Sequence, residues 1–257
     1  MPTHLVKEAL YADIKKQLPE VVVQPWGATE PHNLHLPYGT DIFQCDAIAD
    51  CAAAAANSQG ASVAVLPCLP YGVQTNQLPE FPLAINLNPT TQFAILKDVV
   101  ESLALAGIRK LVILNGHGGN DFYWMTRELY RKQDLFIVVV NWFEIYARYS
   151  DHVATNREGD HAHEMETNFM LHLHPQLVRM DLADDGATAR ARLSAMREGW
   201  ARATRPWQRF TKNSGAGDPS QATAEKGAKS LQIVVEKLTE FLVELSAAER
   251  DERFPFE

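Results

Sequence analysis

The chain has 257 residues, 46% hydrophobic and 22% charged, with a net charge of −8 and a pI near 5.6. That length and apolar share can bury most of the unfolded surface around one core, which excludes a disordered or fibrous chain and predicts one domain over residues 1–257. The acidic balance and dispersed Lys and Arg offer no field to a phosphate backbone, so nucleic acid is excluded as a partner. The N-terminus lacks a basic stretch followed by an apolar one, and no apolar run approaches the ~20 residues of a membrane span. A soluble, cytoplasmic protein acting on a small molecule is expected, with no membrane partner. Cys45, Cys51 and Cys68 show no C-x-x-C spacing and read as buried thiols.

Along the chain, apolar periods of two and 3.6 alternate. Residues 4–17 predict an amphipathic helix, 21–24 a buried strand, 41–56 a helix and 62–66 the next strand. Asn88-Pro89-Thr90 opens a helix whose face carries Leu96, Val100 and Leu103, and Gly107 can close it. A strand at 109–114, a turn at 115–120, a helix at 122–132 and a strand at 135–141 follow. Residues 143–160 show no period and read as a loop, 161–173 resume a helix, 181–189 and 212–220 are connections, and 222–249 predict a long amphipathic helix. Buried strands separated by helices imply a layered α/β domain with a mostly parallel sheet.

The chemistry-bearing residues follow strands. Glu30, His32 and Asp41 come after the strand at 21–24, and Asn115-Gly116-His117-Gly118-Gly119-Asn120 comes after the strand at 109–114. Sites in open α/β sheets form beyond the carboxyl ends of strands, where loops and helix N-termini converge. Carboxylate oxygen combined with imidazole nitrogen suits Zn²⁺, Mn²⁺ or Fe²⁺ better than Ca²⁺ or Mg²⁺. His161 and Glu164 stand three residues apart in the predicted helix and share one face, while His163 and Glu166 share another. One pair can enter a site while the other packs or orients it. The glycine turn has a rival reading as the phosphate cradle of a nucleotide-binding module, although it lacks the full dinucleotide spacing. Trp142, Phe143, Tyr146 and Tyr149 can line a substrate pocket or serve as core and subunit contacts.

These residues resemble the creatininase, or creatinine amidohydrolase, family. Its early motif, E-x-H-G-x-H-L-P followed by an Asp, is matched by Glu30, His32, His35, Leu36, Pro37 and Asp41. N-G-H-G-G-N is matched letter for letter at 115–120, and H-A-G-E-x-E-T-S is similar to His161-Ala162-His163-Glu164-Met165-Glu166-Thr167-Asn168. A late G-D-P-x-x-A-T-A-E-K-G stretch is matched at 217–227, so the motifs stand in order over nearly the whole chain.

The resemblance implies a single layered α/β/α domain, a homo-oligomer that is a hexamer in the family, and two divalent transition metal ions, Zn, Mn or Fe. One ion would be held by Glu30 and His117 and the other by His32 and Glu164, with Asp41 bridging and His161 as the catalytic histidine. Three carboxylates and two histidines exceed what one tetrahedral catalytic zinc needs and fit a pair of ions. His35, Asn115, Gly118, Gly119, Asn120, Trp142, His163 and Glu166 are expected around these ligands or against the substrate. Members that act on creatinine resemble H-Y-E-N at the second motif, with the Glu as a ligand. Here His117-Gly118-Gly119-Asn120 stands instead, which separates this chain from them and makes Glu164 the natural source of the missing carboxylate. The expected function is metal-dependent hydrolysis of a C–N amide bond in a small cyclic molecule. The alternatives are a carbon–carbon ring-opening hydrolase of the diketo-inositol type, a formamidopyrimidine deformylase and the non-catalytic nucleotide module.

Overall fold

Four apolar runs form a parallel sheet in the computed structural model, which describes residues 3–75, 79–130 and 134–256. The strands β1 (Val21–Trp26), β2 (Val63–Val65), β3 (Lys110–Asn115) and β4 (Phe136–Asn141) lie in the order β2-β1-β3-β4. Val23 sits opposite Val65 on one side and Val112 on the other. Because β2 and β3 lie on opposite sides of β1, the winding reverses between β1 and β3, and a crevice opens beyond the carboxyl ends of these two strands.

The helices α1 (Thr40–Ser58), α2 (Pro89–Leu105), α3 (Tyr123–Leu129), α4 (Trp142–Tyr149), α5 (Glu164–Leu173) and α6 (Ala224–Ala247) cover both faces of the sheet. Alternate strand side chains point to opposite faces. Val21, Val23, Val112 and Leu114 pack with Ile48 and Ala52 of α1, Phe169 of α5 and Leu238 of α6. Val22, Trp26, Leu111 and Ile113 pack with Leu96 and Val100 of α2 and Met125 and Leu129 of α3. The expected α/β/α layering is therefore present. Among the described residues no helix is long and apolar enough to cross a membrane.

Gly107 closes α2 as its position predicts: at φ 90° it lets its own N–H reach Ala104 O and the Ile108 N–H reach Leu103 O. Four expectations change. Residues 4–17 hold only a 3₁₀ turn, Val6–Glu8, and one α-turn, Tyr11–Ile14, because the Val65 N–H bonds His4 O and draws this segment alongside β2. The expected loop at 143–160 instead carries α4, a helix of 8 residues that buries only Trp142 and Tyr146 and is too short to show a period. The helix expected from residue 161 starts at Glu164, since His161 pairs antiparallel with Ala216 and Ala162 adopts φ 51°. The helix expected over 122–132 is Tyr123–Leu129, and its last two expected positions lie outside the described residues.

Gly227 of α6 lets this helix seat on α5, because a Cβ there would lie 1.9 Å from Asn168 O. Gly227→Ala should cost roughly 1–3 kcal/mol by overpacking. Thermal unfolding should show a clear drop relative to the exposed Lys229→Ala, and equal melting temperatures would contradict this packing.

Candidate metal centre

Beyond the carboxyl ends of β1 and β3, three imidazoles are held in the same way. Each gives one ring N–H to a main-chain carbonyl: His32 Nδ1 to Glu30 O at 3.1 Å, His117 Nε2 to Val73 O at 2.8 Å and His161 Nε2 to Pro31 O at 2.9 Å. A carbonyl only accepts, so the outer nitrogen carries the hydrogen and the inner nitrogen is the one that faces the site. The inner nitrogens meet buried carboxylates. His117 Nδ1 lies 2.9 Å from Glu30 Oε1 and 3.2 Å from Asp41 Oδ2, while His32 Nε2 lies 3.0 Å from Asp41 Oδ1 and 3.6 Å from Glu166 Oε1. His161 Nδ1 stands 3.8 Å from Glu30 Oε1.

Burial alone would raise Glu30 and Glu166, yet neighbouring imidazoles outweigh it and hold both below the usual carboxylate range. His117, His161 and His32 act on Glu30, and His163, His32 and His161 act on Glu166. Burial would likewise lower His32 and His117, but Asp41 with Glu166, and Glu30 with Asp41, raise them well above the ordinary value. With protons alone to balance the carboxylates, both inner nitrogens carry hydrogen. A divalent cation fits in place of those protons, because the donors are three carboxylates and oriented imidazoles with their ligand atoms in close reach. Glu30, Asp41 and His117 form one such group, and His32, Asp41 and Glu166 form another. Asp41 belongs to both through different oxygens.

Of the five ligands expected from sequence, the structure brings together Glu30, His32, Asp41 and His117, and it places Glu166 where Glu164 is expected. The Glu164 carboxylate turns away from the cluster. It accepts the N–H groups of Thr155 and Asn156 and pairs with Lys226 Nζ at 2.7 Å, contacts that overcome the effect of burial and lower its pKa. Because α5 begins at residue 164, His161 is not on a helix face with it. Glu166, in the first turn of α5, faces His32 and accepts the Ala162 N–H. His35 bonds Thr167 Oγ1 at 2.9 Å and is lowered to about 4 by burial and by the charge of His32, so it stays neutral beside the cluster. His163 Nδ1 lies 3.7 Å from Glu166 Oε2.

The glycine turn serves approach rather than phosphate. A Cβ at Gly116 would lie 2.3 Å from Cys45 Sγ, and one at Gly119 would lie 2.1 Å from Val73 O, the carbonyl that anchors His117. Gly118 meets nothing and lines the cavity above the cluster. Asn115 bonds the His117 N–H and C=O and Asn120 Nδ2, and Asn120 Oδ1 accepts the Val73 N–H, so the two amides fix the turn. The cavity holds about 390 Å³, with Trp142 forming part of its wall. Sequence reading missed Trp207, whose ring stands edge-on to His161 at 5.0 Å, and Arg157 and Arg205 at the cavity rim.

The sequence profile of the creatininase (creatinine amidohydrolase) family matches residues 7–242. The chain belongs to the creatininase family. A creatinine amidohydrolase from Pseudomonas putida is 28% identical over 183 residues, covering 64% of this chain and 68% of its own length. A mycofactocin precursor peptide peptidase from Mycobacterium tuberculosis is 29% identical over 234 residues, covering 86% and 84%. A 3-dehydro-scyllo-inosose hydrolase from Thermotoga maritima is 26% identical over 178 residues, covering 65% and 54%. Among solved structures, a Bacteroides fragilis protein assigned as a creatinine amidohydrolase superposes with a TM-score of 0.90 at 40% identity, covering 96% of this chain and 98% of that one. Creatininase in a manganese form, covering 96% and 100%, shares the fold at TM-score 0.78 and 22% identity. A Zn–Zn type of a creatininase variant, covering 96% and 99%, shares it at 0.76 and 23%. Membership in this family of hydrolases makes the chain a creatininase-family hydrolase.

Two outcomes test the site. Glu166→Gln should lower bound Mn or Zn, measured by elemental analysis after dialysis, while Glu164→Gln should keep its metal and lose roughly 1–3 kcal/mol of stability, because one accepting oxygen becomes a donor and the charge that pairs Lys226 is lost. The reverse result would restore Glu164 as a ligand. Since His32 and His117 hold protons tightly, metal binding must displace them, and the metal dissociation constant should rise as pH falls from about 8 to about 6. A flat profile would show that the imidazoles do not ligate.

Proposed function

We propose that this creatininase-family chain is a dinuclear metal-dependent hydrolase that cleaves a C–N amide bond. The observation that carries the reading is Asp41, whose two carboxylate oxygens face two different ligand groups, as a bridging carboxylate would. Glu30 and His117 would hold one ion, and His32 and Glu166 the other. When bound, the ions would supply an acidified water as nucleophile and positive charge where the carbonyl oxygen becomes an oxyanion.

The chain's own groups do the rest. His161 keeps its Nε2–H on Pro31 O, so its Nδ1 is available to take a proton from the attacking water and pass it to the leaving nitrogen. The C–O bond forms, the C–N bond breaks, and the amine leaves with that proton. The Pro31 carbonyl then stabilises the transient imidazolium, and Trp207 against the ring limits its rotation. Trp142 is almost fully buried and forms part of the cavity wall. The amide reading is favoured over a carbon–carbon cleavage because the two curated relatives covering most of their own length, an amidohydrolase and a peptide peptidase, are named for C–N bonds.

Assay of lactams, formamides, N-acyl amines and a cyclic β-diketone with Mn²⁺, Zn²⁺ and Fe²⁺ tests the proposal. Metal-dependent amine release, abolished by chelator, is expected; opening of the diketone alone would overturn the amide reading. His161→Ala should lower kcat by roughly 10²–10⁴-fold with metal content unchanged. Wild-type turnover would remove His161 from the proton path.

A further inference from the structure

The cavity above the cluster is chemically two-sided. Its inner part holds the carboxylates and imidazoles, while the α4 wall carries Trp142 and Tyr146 and the rim carries Arg157 and Arg205, each paired with an aspartate. Trp142 and Tyr146 stand one turn apart on α4, both buried, and neither the Trp142 indole N–H nor the Tyr146 hydroxyl has a hydrogen-bond partner among the described residues. Buried polar groups are normally satisfied, and both residues line the cavity, so an accepting group there would complete them. Burial, with Asp151 and Glu164 nearby, pushes the Tyr146 phenol up to about 12 against the opposing charge of Arg157, so the hydroxyl keeps its hydrogen and can donate.

Two guanidiniums reach the rim, and their bonding differs. Arg205 Nη1 bonds both oxygens of Asp160 at 2.9 and 2.7 Å, and the guanidinium lies over Trp207 and Phe210 at 4.9 and 5.1 Å. That group holds Asp160, the neighbour of His161, through Nη1 and stacks on the ring that backs His161. Among the described residues Arg157 forms one ion pair, Nη1 to Asp151 at 3.3 Å, with its side chain 54% exposed. An exposed, long ion pair of this kind is weak, and an incoming acid can displace Asp151 and take the planar fork in two parallel bonds. The backbone that leads to Arg157 is held at Thr155 and Asn156 by the buried Glu164 carboxylate, and the guanidinium lines the cavity.

We infer that the substrate carries a carboxylate or comparable acid group several bonds from the scissile amide, and that Arg157, with Tyr146, is its recognition site. This rests on the cavity being the substrate site of the proposed amidohydrolase. Substrates that carry such an acid, N-acyl amino acids or peptide ends, are then preferred over compact neutral lactams.

The test compares 4-acetamidobutanoate and 5-acetamidopentanoate with their isosteric primary carboxamides, by calorimetry on the purified protein and by acetate release with added Mn²⁺. The acids should bind at least about ten-fold more tightly, as a charge-assisted pair would give. Arg157→Met should reduce that preference to within about two-fold without weakening the carboxamides, Arg157→Lys should recover part of it, and Tyr146→Phe should narrow it. Equal binding of acid and carboxamide, no binding of either, or a preference that survives in Arg157→Met would overturn the inference. Acid-selective binding without acetate release would remove the amide-hydrolysis reading and leave the recognition site standing.

Discussion

The site depends on three main-chain carbonyls, those of Glu30, Pro31 and Val73, each holding the outer N–H of one imidazole. This contact decides which ring nitrogen faces inward, and so whether the buried carboxylates of Glu30, Asp41 and Glu166 meet a ligand or a rotating ring. Two of the carbonyls lie in the segment between β1 and α1, so the same short stretch supplies candidate ligands and the anchors of other candidate ligands. The third lies in the neighbouring connection, and only glycine at 119 lets the turn carrying His117 come close enough to reach it.

The sheet explains why these pieces meet. The strand order reverses around β1 and β3, and their carboxyl ends diverge to leave the crevice in which both ligand segments emerge. The first turn of α1 contributes Asp41 and the first turn of α5 contributes Glu166. Carboxylates are favourable at such positions because the N-terminal amides carry partial positive charge. The antiparallel bridge between His161 and Ala216 adds the last side, bringing Ser214 within 3.4 Å of His161 Nε2 and the late part of the chain onto the cavity.

Much of this architecture is legible in the amino-acid sequence. Glu30, His32, Asp41 and His117 are readable because each follows a continuous apolar strand, and strand ends converge whatever the loop lengths. The three-residue spacing of His161 and Glu164 shares a face only if both residues are helical. Ala162 at φ 51° and the bridge at His161 place residues 161–163 outside α5, which shifts the inward-facing position to Glu166. The helix α4 is hidden because two turns burying Trp142 and Tyr146 give too few repeats to reveal a period. Arg205 and Trp207 reach the site from a polar segment of short helices without apolar periodicity, so no local pattern marks them as neighbours of His161.

In the proposed centre Asp41 would stand between two cations. Anomalous-difference density from crystals grown with Mn²⁺ measures this directly. Two peaks roughly 3.5–4 Å apart, one on each side of the Asp41 carboxylate with Glu166 and not Glu164 at the second, are the predicted result. A single peak, or none within reach of Asp41, would contradict it.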